Sequence, residues 1–321
     1  MIIGELEQKV IREAGREAAH VCLTLHSDIQ SNLMYKADRD PVSIADLCSQ
    51  AVILHRIAKY FSEDSIITEE TVADFRALIN TEQKHWLAYY ASQALNCPVT
   101  INEIKHWLSH QPKQDNRRTW IIDPVDGTRG FFKGDQFAIA IALVIAGQPV
   151  LSALVCPLMP FNREVIGAMA IAQKNQGAVL ESLDGTLSRT LSVSKQSDLQ
   201  RVHIALGDVR HLDRKAVERL FSNNQINGTI MQISSQAKYV AVADGQIDLF
   251  LRYATDTDNR EKVWDHVAGE LIVREAGGCV TDLDGKELNF SKGELLTENR
   301  GLLVTNRQIH NNLLQIIHNY I

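Results

Sequence analysis

Two aspartates three residues apart follow a short apolar segment near the middle of the chain. Residues 120–122, Trp-Ile-Ile, predict a buried strand, and residues 123–128, Asp-Pro-Val-Asp-Gly-Thr, contain the proline and glycine that are typical of a turn. We expect Asp123 and Asp126 to leave the strand in a stiff turn and to converge on one point. Two anions held that close repel each other unless a cation lies between them, and hard oxygen ligands suit Mg²⁺. The alternative is an aspartate-based turn that only begins a helix.

Two further acids have comparable positions. Glu69 ends the short apolar segment 65–68, and Asp265 follows Trp264 at the start of a predicted helix, where an acidic cap is common in any case. Together with Asp123 and Asp126 they supply enough oxygen ligands for two or three Mg²⁺ ions. Residues 127–128 come next in the chain, and backbone N–H groups at such a helix start bind anions. Carboxylates for a metal beside amides for an anion favour chemistry on a phosphate.

The elements that must hold these residues follow from hydrophobic periodicity. Apolar residues recur every three or four positions over residues 5–25 and 43–61, which predicts two amphipathic helices. Residues 137–145 alternate large and small apolar side chains, and residues 150–155 complete a predicted hairpin of buried strands. Residues 71–118 are polar and helical in pattern. Further helices are predicted at 213–221, 235–243 and 265–276, and a strand at 247–251, while Pro157 and Pro160 mark the best candidate domain boundary.

Composition and charge narrow the class of protein. The 321 residues include 33 basic and 39 acidic side chains, a net charge of −6 and 45% hydrophobic residues, which excludes disordered and disulfide-scaffold classes. The net negative charge argues against nucleic-acid binding, which needs a basic surface. The longest apolar run is residues 137–146, well short of the roughly 20 residues of a membrane span, and the N-terminus lacks the apolar stretch of a secretory signal. We therefore expect a cytoplasmic protein with reduced cysteines and no membrane or nucleic-acid partner.

The motifs resemble those of the lithium-sensitive, Mg²⁺-dependent phosphatases of the inositol monophosphatase superfamily. The matching segments are residues 120–128, Glu69-Glu70 after a strand, residues 264–269 (Trp-Asp-His-Val-Ala-Gly) and residues 275–278 (Glu-Ala-Gly-Gly). Within the superfamily the sequence is most similar to the 3′(2′),5′-bisphosphate nucleotidases. Residues 40–46, 127–131 and 235–239 favour that branch, and Lys238 is the sharpest discriminator because inositol monophosphatases usually have an apolar residue there.

This resemblance implies both a fold and an activity. The fold is a mixed α/β (α+β) chain forming a layered αβαβα sandwich of the inositol monophosphatase and fructose-1,6-bisphosphatase type. Its N-terminal half, residues 1–157, would carry the metal-binding loops, and its C-terminal half, residues 158–321, the nucleotide-binding residues. The activity is removal of the 3′-phosphate of adenosine 3′,5′-bisphosphate (PAP) to give AMP and phosphate, with the sulfated form (PAPS) as a second substrate and sulfur assimilation as the setting.

The resemblance also implies roles for individual residues. The metal ligands would be four carboxylates and one backbone carbonyl, namely Glu69, Asp123, Asp126, Asp265 and the carbonyl of Val125. Asp46 and Thr128 would hold and deprotonate the attacking water. Substrate contacts would come from residues that match positions around the scissile phosphate, the nucleotide and its second phosphate: Gly127, Thr128, His211, Ser235, Lys238, Arg252 and Asp265.

Two other functions stay open from the sequence. One is a related phosphatase acting on inositol mono- or polyphosphates, which the same metal site would serve. The other is a catalytically silent regulator that binds Mg²⁺ or a nucleotide on the same fold, against which the complete set of ligands argues. The expected assembly is a monomer or a homodimer that acts on a small molecule.

Overall fold

Two β-sheets, one of seven strands and one of five, organise the chain in the computed structural model. It describes residues 3–320 except 29–32, 36–40, 72, 74, 77–78, 110–117, 207–210, 224–225, 227, 234 and 253–260, and it describes only the backbone of 27–28, 33–35, 41–42, 211–216 and 320. The helices of this part are α1 Glu5–Asp28, α2 Ile44–Tyr60, α3 Thr81–Leu95, α4 Ile101–Leu108, α5 Thr128–Lys133, α6 His211–Asn223, α7 Ala237–Ala243, α8 Val267–Glu275 and α9 His310–Tyr320. A 3₁₀ turn covers Val263–Asp265.

The strands fall into three groups. A small antiparallel pair is formed by β1 Leu33–Tyr35 and β2 Pro41–Ser43. The seven-stranded sheet follows chain order with β3 Ser65–Thr68, β4 Arg118–Asp126, β5 Ala138–Ile145, β6 Gln148–Pro160, β7 Ile166–Gln173, β8 Gly177–Ser182 and β9 Ser188–Thr190. Its pairs are antiparallel except that β3 and β4 are parallel. The five-stranded sheet contains β10 His203–Leu206, β11 Thr229–Gln232, β12 Leu249–Arg252, β13 Cys279–Thr281 and β14 Leu302–Thr305, in the order β11-β10-β12-β14-β13.

The alternation of side chains along β5 shows how the layers are built. The large residues Phe137, Ile139, Ile141 and Leu143 belong to the core shared with α1 and α2. The alanines between them face the opposite way, into the core that contains α7, α8 and one face of the five-stranded sheet. The other face of that sheet packs on α6 and α9. Because successive side chains of a strand point to opposite faces, the order is helix, sheet, helix, sheet, helix, and the predicted αβαβα sandwich is confirmed.

The predicted division after residue 157 falls inside a strand. β6 runs without a break from Gln148 to Pro160, and the seven-stranded sheet continues to Thr190 before the chain enters the five-stranded sheet. The two prolines end the regular pairing of β6 with β7 rather than the sheet, since the register shifts between Cys156 and Pro160. A division into two halves with separate roles stays a prediction, and the sheets put the change of layer after β9.

Most predicted helices agree with the structure to within a few residues. Residues 71–118 contain α3 and α4, each begun by a capping box, at Asn80 and at Thr100. α2 begins one residue after Ser43, whose side chain accepts from the backbone N–H groups of Ala45 and Asp46. Among the described residues, no helix combines the length and the apolar character that crossing a membrane requires.

Candidate active site

Three carboxylates from distant parts of the chain meet at one point. Asp123 and Asp126 lie on β4, where the pairing with β5 shifts register between them, and Asp265 ends the 3₁₀ turn before α8. One oxygen of each lies within 4.8 Å of the others. The bulge explains this convergence, because it re-aims the strand end so that residues three apart turn to the same side. We call these three residues the acidic cluster.

Burial and repulsion from neighbouring carboxylates raise the pKa of two members of the acidic cluster, Asp123 and Asp265. Burial raises the pKa of Asp123 well above its ordinary value, and the negative charges of Glu69, Asp126 and Asp265 raise it further. Burial also raises the pKa of Asp265 to about 6, against an opposing effect of the neighbouring His266. Oδ1 of Asp123 is buried and receives no hydrogen bond from the described residues. Carboxylate oxygens this close together, one of which accepts no hydrogen bond from the described residues, fit a divalent cation such as Mg²⁺.

Gln50 on α2 fixes the segment that carries Glu69. Its side-chain amide donates to the carbonyl of Glu70 at 2.7 Å, and its oxygen accepts from the N–H of Glu70 at 3.1 Å and from the hydroxyl of Thr68. The N–H of Glu69 donates to the carbonyl of Ile122 on the neighbouring strand. Glu69 therefore comes next to Asp123, whose pKa it raises. The sequence analysis missed Gln50, since a buried glutamine within an amphipathic helix gives no signal of its partner.

Asp46 and Thr128 meet as the sequence analysis expected. Oδ2 of Asp46 accepts from the backbone N–H of Ser43 at 2.7 Å and from the Ser43 hydroxyl, which completes the capping box of α2. Oδ1 of Asp46 lies 3.3 Å from the Thr128 hydroxyl, which is also 3.2 Å from the carbonyl of Val125. One hydroxyl proton can serve only one of these two acceptors at a time. Thr128 can therefore donate to Asp46 while its lone pairs accept from a water.

Gly127 needs its glycine. Its φ of +88° belongs to the left-handed region, and a Cβ built there would lie 3.0 Å from the Cβ of Ser235. Ser235 itself has a φ of +64°, and its hydroxyl accepts from the N–H of Ala237, the first residue of α7. The start of the six-residue helix α5 and the start of α7 thus approach each other closely beside the acidic cluster.

Lys238 and Arg252 supply positive charge at the rim of the acidic cluster. The ammonium of Lys238 donates to the carbonyl of Ser235 at 2.9 Å and lies 5.4 Å from the centre of the Phe250 ring. Burial lowers the pKa of Lys238, and the nearby charge of Asp126 opposes that effect. Arg252 ends β12, and its Nε is 2.9 Å from Oε1 of Glu261. Both cations interact electrostatically with Asp126 and Asp265.

A series of hydrogen bonds leads from Arg252 to the helices that lie between the two sheets, α7 and α8. Oε2 of Glu261 is 3.0 Å from Nε2 of His266, and Nδ1 of His266 is 2.7 Å from the hydroxyl of Tyr239. Burial acts to raise the pKa of Glu261, but the hydrogen bond to His266 and the charges of His266, Arg252 and Lys238 overcome that effect and hold the pKa at about 2. Tyr239 lies across Gly269 of α8, where an added Cβ would come within 2.2 Å of the ring. The motif residues around Asp265 thus pack as a unit.

Gln236 is a second residue that the sequence analysis did not single out. It is 1% exposed, its backbone N–H donates to Oδ2 of Asp126, and its side-chain amide donates to Oδ2 of Asp123 at 3.3 Å and to the carbonyl of Trp264 at 3.1 Å. Gln236 therefore links Asp123, Asp126 and the residue before Asp265 by hydrogen bonds. The only signal was its place beside Ser235 in a matching segment.

The predicted site residues come together with one exception that lies outside the description. The acidic cluster, Glu69, Val125, Asp46, Gly127, Thr128, Ser235, Lys238 and Arg252 are linked by the contacts above. His211 begins α6, and its side chain lies outside the described residues, as do residue 40 and the side chains of residues 41–42.

Comparison with known proteins identifies the class to which this fold and site belong. The sequence model described as the inositol monophosphatase family matches residues 6–321. Two solved structures share the fold: an IMPase of Thermotoga maritima, with a TM-score of 0.69 and 22% identity over 99% of this chain and 98% of that one, and the extragenic suppressor protein SuhB of Bartonella henselae, with a TM-score of 0.70 and 21% identity over 98% and 99%. The chain belongs to the inositol monophosphatase family, and it is a phosphatase.

Curated relatives are more similar in sequence and carry a more specific name. A 3′(2′),5′-bisphosphate nucleotidase of Oryza sativa is 31% identical over 97% of this chain and 93% of its own length. A 3′,5′-bisphosphate nucleotidase 2 of Arabidopsis thaliana is 32% identical over 94% and 92%. A 3′(2′),5′-bisphosphate nucleotidase of Dictyostelium discoideum is 30% identical over 97% and 96%. The resemblance to this branch of the family is confirmed.

Proposed function

We propose that this protein hydrolyses the 3′-phosphate of adenosine 3′,5′-bisphosphate to AMP and phosphate, and accepts the 5′-phosphosulfate form as a second substrate. The names of the curated relatives support the substrate. The observation that carries the proposal is the meeting of an acidic cluster with Lys238 and Arg252. Carboxylates that gather cations suit the phosphate that is cleaved, and fixed cations beside them suit a second phosphate that is retained.

The residues that would hold Mg²⁺ are Glu69, the acidic cluster and the carbonyl of Val125. Two or three ions bound there would lower the pKa of bound water and neutralise the charge of the phosphate and of the leaving oxygen. The acidic cluster fits such ions because its carboxylates lie within 4.8 Å of one another and one buried oxygen lacks a donor.

The chain's own residues would position and deprotonate the attacking water. The Thr128 hydroxyl, 3.3 Å from Oδ1 of Asp46, would accept a hydrogen bond from the water and donate its own proton to the carboxylate. Asp46 is held for this role by the capping interactions with Ser43. The water itself would attack the phosphorus, in line with the leaving oxygen, so that the phosphate passes directly to water and no phosphoenzyme forms, and the backbone N–H groups at residues 127–128 would stabilise the phosphoryl oxygens.

The experiment that tests this proposal is product analysis with purified protein. In Mg²⁺ we expect adenosine 3′,5′-bisphosphate to give 5′-AMP and one phosphate, and excess EDTA to stop the reaction. Asp126→Asn should abolish turnover while circular dichroism and the unfolding transition stay close to those of the unchanged protein. Activity that persists in Asp126→Asn would refute the metal assignment. Nucleotide binding without phosphate release from any bisphosphate would instead support a regulator. The cytoplasmic location stays a prediction.

A further inference from the structure

Glu261 lies at the centre of the hydrogen-bonded series beside the acidic cluster, but no catalytic or metal-binding role needs it. Its side chain is 11% exposed, and both of its carboxylate oxygens are used. Oε1 accepts from Nε of Arg252 at 2.9 Å, and Oε2 pairs with Nε2 of His266 at 3.0 Å. A largely buried carboxylate with a hydrogen-bond partner on each oxygen holds both partners in place, because each bond restricts the rotation of the partner's side chain.

A second metal site is the first interpretation to exclude. Glu261, Asp265 and His266 each place one ligand atom within 4.8 Å of the others, which is compatible with a metal ion. His266 is 1% exposed, however, and both of its ring nitrogens already have partners, Glu261 on one side and the hydroxyl of Tyr239 at 2.7 Å on the other. A ring nitrogen that accepts or donates such a bond has no lone pair left for a metal. The hydrogen-bonded series of Tyr239, His266, Glu261 and Arg252 therefore fixes the position of side chains instead of binding a metal.

The side chain that this hydrogen-bonded series fixes is the guanidinium of Arg252. That side chain remains 41% exposed, and Glu261 is its ion-pair partner among the described residues. Arginine presents its donors as a rigid planar fork, so a carboxylate fixed on Nε sets the plane of the whole group and aims its outer edge. Arg252 and Lys238 interact electrostatically, so two cations share this side of the acidic cluster. An oriented pair of cations is suited to a doubly charged phosphate.

We infer that Glu261 is a positioning residue, which fixes Arg252 for the phosphate that is not cleaved and so sets the preference for a bisphosphate over a monophosphate. The inference rests on the proposed function. Glu261 acts through Arg252 and does not touch the substrate itself. His266, itself bonded to Tyr239, keeps the Glu261 carboxylate in the same position whether or not substrate is bound.

The test compares Glu261→Gln with the unchanged protein on two substrates. Glutamine keeps the size of the side chain but loses the charge and one acceptor, so Arg252 loses its charge-assisted hydrogen bond and is held less firmly. We expect KM for adenosine 3′,5′-bisphosphate to rise about tenfold, with kcat within about twofold, in keeping with loss of one charge-assisted hydrogen bond. KM for adenosine 3′-monophosphate, which lacks the second phosphate, should not change. Glu287→Gln is the matched control, because that carboxylate is 70% exposed and pairs with Arg274 at 3.4 Å.

A double-mutant cycle separates positioning from general damage. In an Arg252→Ala background, Glu261→Gln should have no further effect on KM. Equal losses on both substrates, a loss in kcat alone, or independent effects in the double variant would overturn the inference.

Calorimetric titration with 5′-AMP and with adenosine keeps the inference testable without turnover. Glu261→Gln should weaken binding of 5′-AMP about tenfold and leave binding of adenosine unchanged. If no bisphosphate is hydrolysed but this difference is found, the proposed function fails, while the positioning of Arg252 by Glu261 for a phosphate is supported. If hydrolysis is found without the difference, the inference fails alone.

Discussion

The acidic cluster should make the metal-free protein less stable as the pH rises. Its carboxylates repel one another, Asp123 is buried and the other two are partly buried, and burial raises the pKa of Asp265 from 3.8 to about 6 in the folded chain. Between these two values the folded state keeps a proton that the unfolded state has released. The unfolded state then binds fewer protons, so the stability that Asp265 contributes is fully present below about pH 4 and is lost as the pH rises to about 6.

The size of the effect follows from the shift. One pKa unit is worth about 1.4 kcal/mol, so a shift of roughly two units corresponds to about 3 kcal/mol. Mg²⁺ should reverse the loss, because a ligand present at about 100 times its Kd stabilises the folded state by about 2.7 kcal/mol. Asp123 should add to the effect, since its pKa is raised by burial and by the same neighbours.

The assay is urea unfolding in EDTA between pH 4 and pH 7.5, for the unchanged protein and for Asp265→Asn. The asparagine carries no charge at any pH. We therefore expect the unchanged protein to lose about 3 kcal/mol relative to the variant across this range. Asp284→Asn is a control, because Arg300 at 2.7 Å lowers the pKa of Asp284, so its contribution is lost only below about pH 4 and should change little across this range. A difference between the unchanged protein and Asp265→Asn that does not vary with pH, or no stabilisation by Mg²⁺ at pH 7.5, would refute the reasoning.

Three further predictions follow from single contacts. Thr128→Val should lower kcat by about a hundredfold or more with little change in KM, because the hydroxyl carries the proton. Thr128→Ser keeps a hydroxyl and should retain much of the kcat of the unchanged protein. Equal kcat values for the valine and serine variants in steady-state assays would contradict this role. Gly127→Ala should cost roughly 1–3 kcal/mol in urea unfolding. It should cost more than Gly177→Ala, which has a similar φ of +82° but open space around its Cβ; equal costs would show that the approach to Ser235 is unimportant. Gln236→Leu should weaken Mg²⁺ binding in calorimetry, because it removes the amide that orients the Asp123 carboxylate by bonding both to it and to the carbonyl of Trp264, and an unchanged Kd would contradict its place at the acidic cluster.

Local pattern predicted the elements and the acids that they carry. The alternation of large and small residues in 137–145 predicted a strand buried on both faces, and the structure shows that the large side chains face α1 and α2 while the alanines face α7 and α8. The turn after Ile122 predicted that Asp123 and Asp126 converge. These features depend on neighbours in the chain, which is why the sequence contains them.

Long-range order was accessible only through the resemblance, and some contacts not at all. Periodicity cannot say that β10 lies between β11 and β12, because that order depends on packing between elements far apart in sequence. Pro157 suggested a boundary because prolines usually interrupt strands, but β6 continues through it. Gln236 and Glu261 were missed because each is defined by partners on other elements.

The central claim is that the acidic cluster and its two cations select a nucleotide bisphosphate, and one ratio tests it most directly. That ratio compares kcat/KM for adenosine 3′,5′-bisphosphate with kcat/KM for inositol 1-phosphate, measured with the same purified protein in Mg²⁺, with and without Li⁺. We expect the bisphosphate to be preferred by about tenfold or more, since in the proposed function Lys238 and Arg252 would contact a phosphate that the inositol ester lacks. An equal or reversed preference would contradict the account and would favour an inositol phosphatase on the same fold.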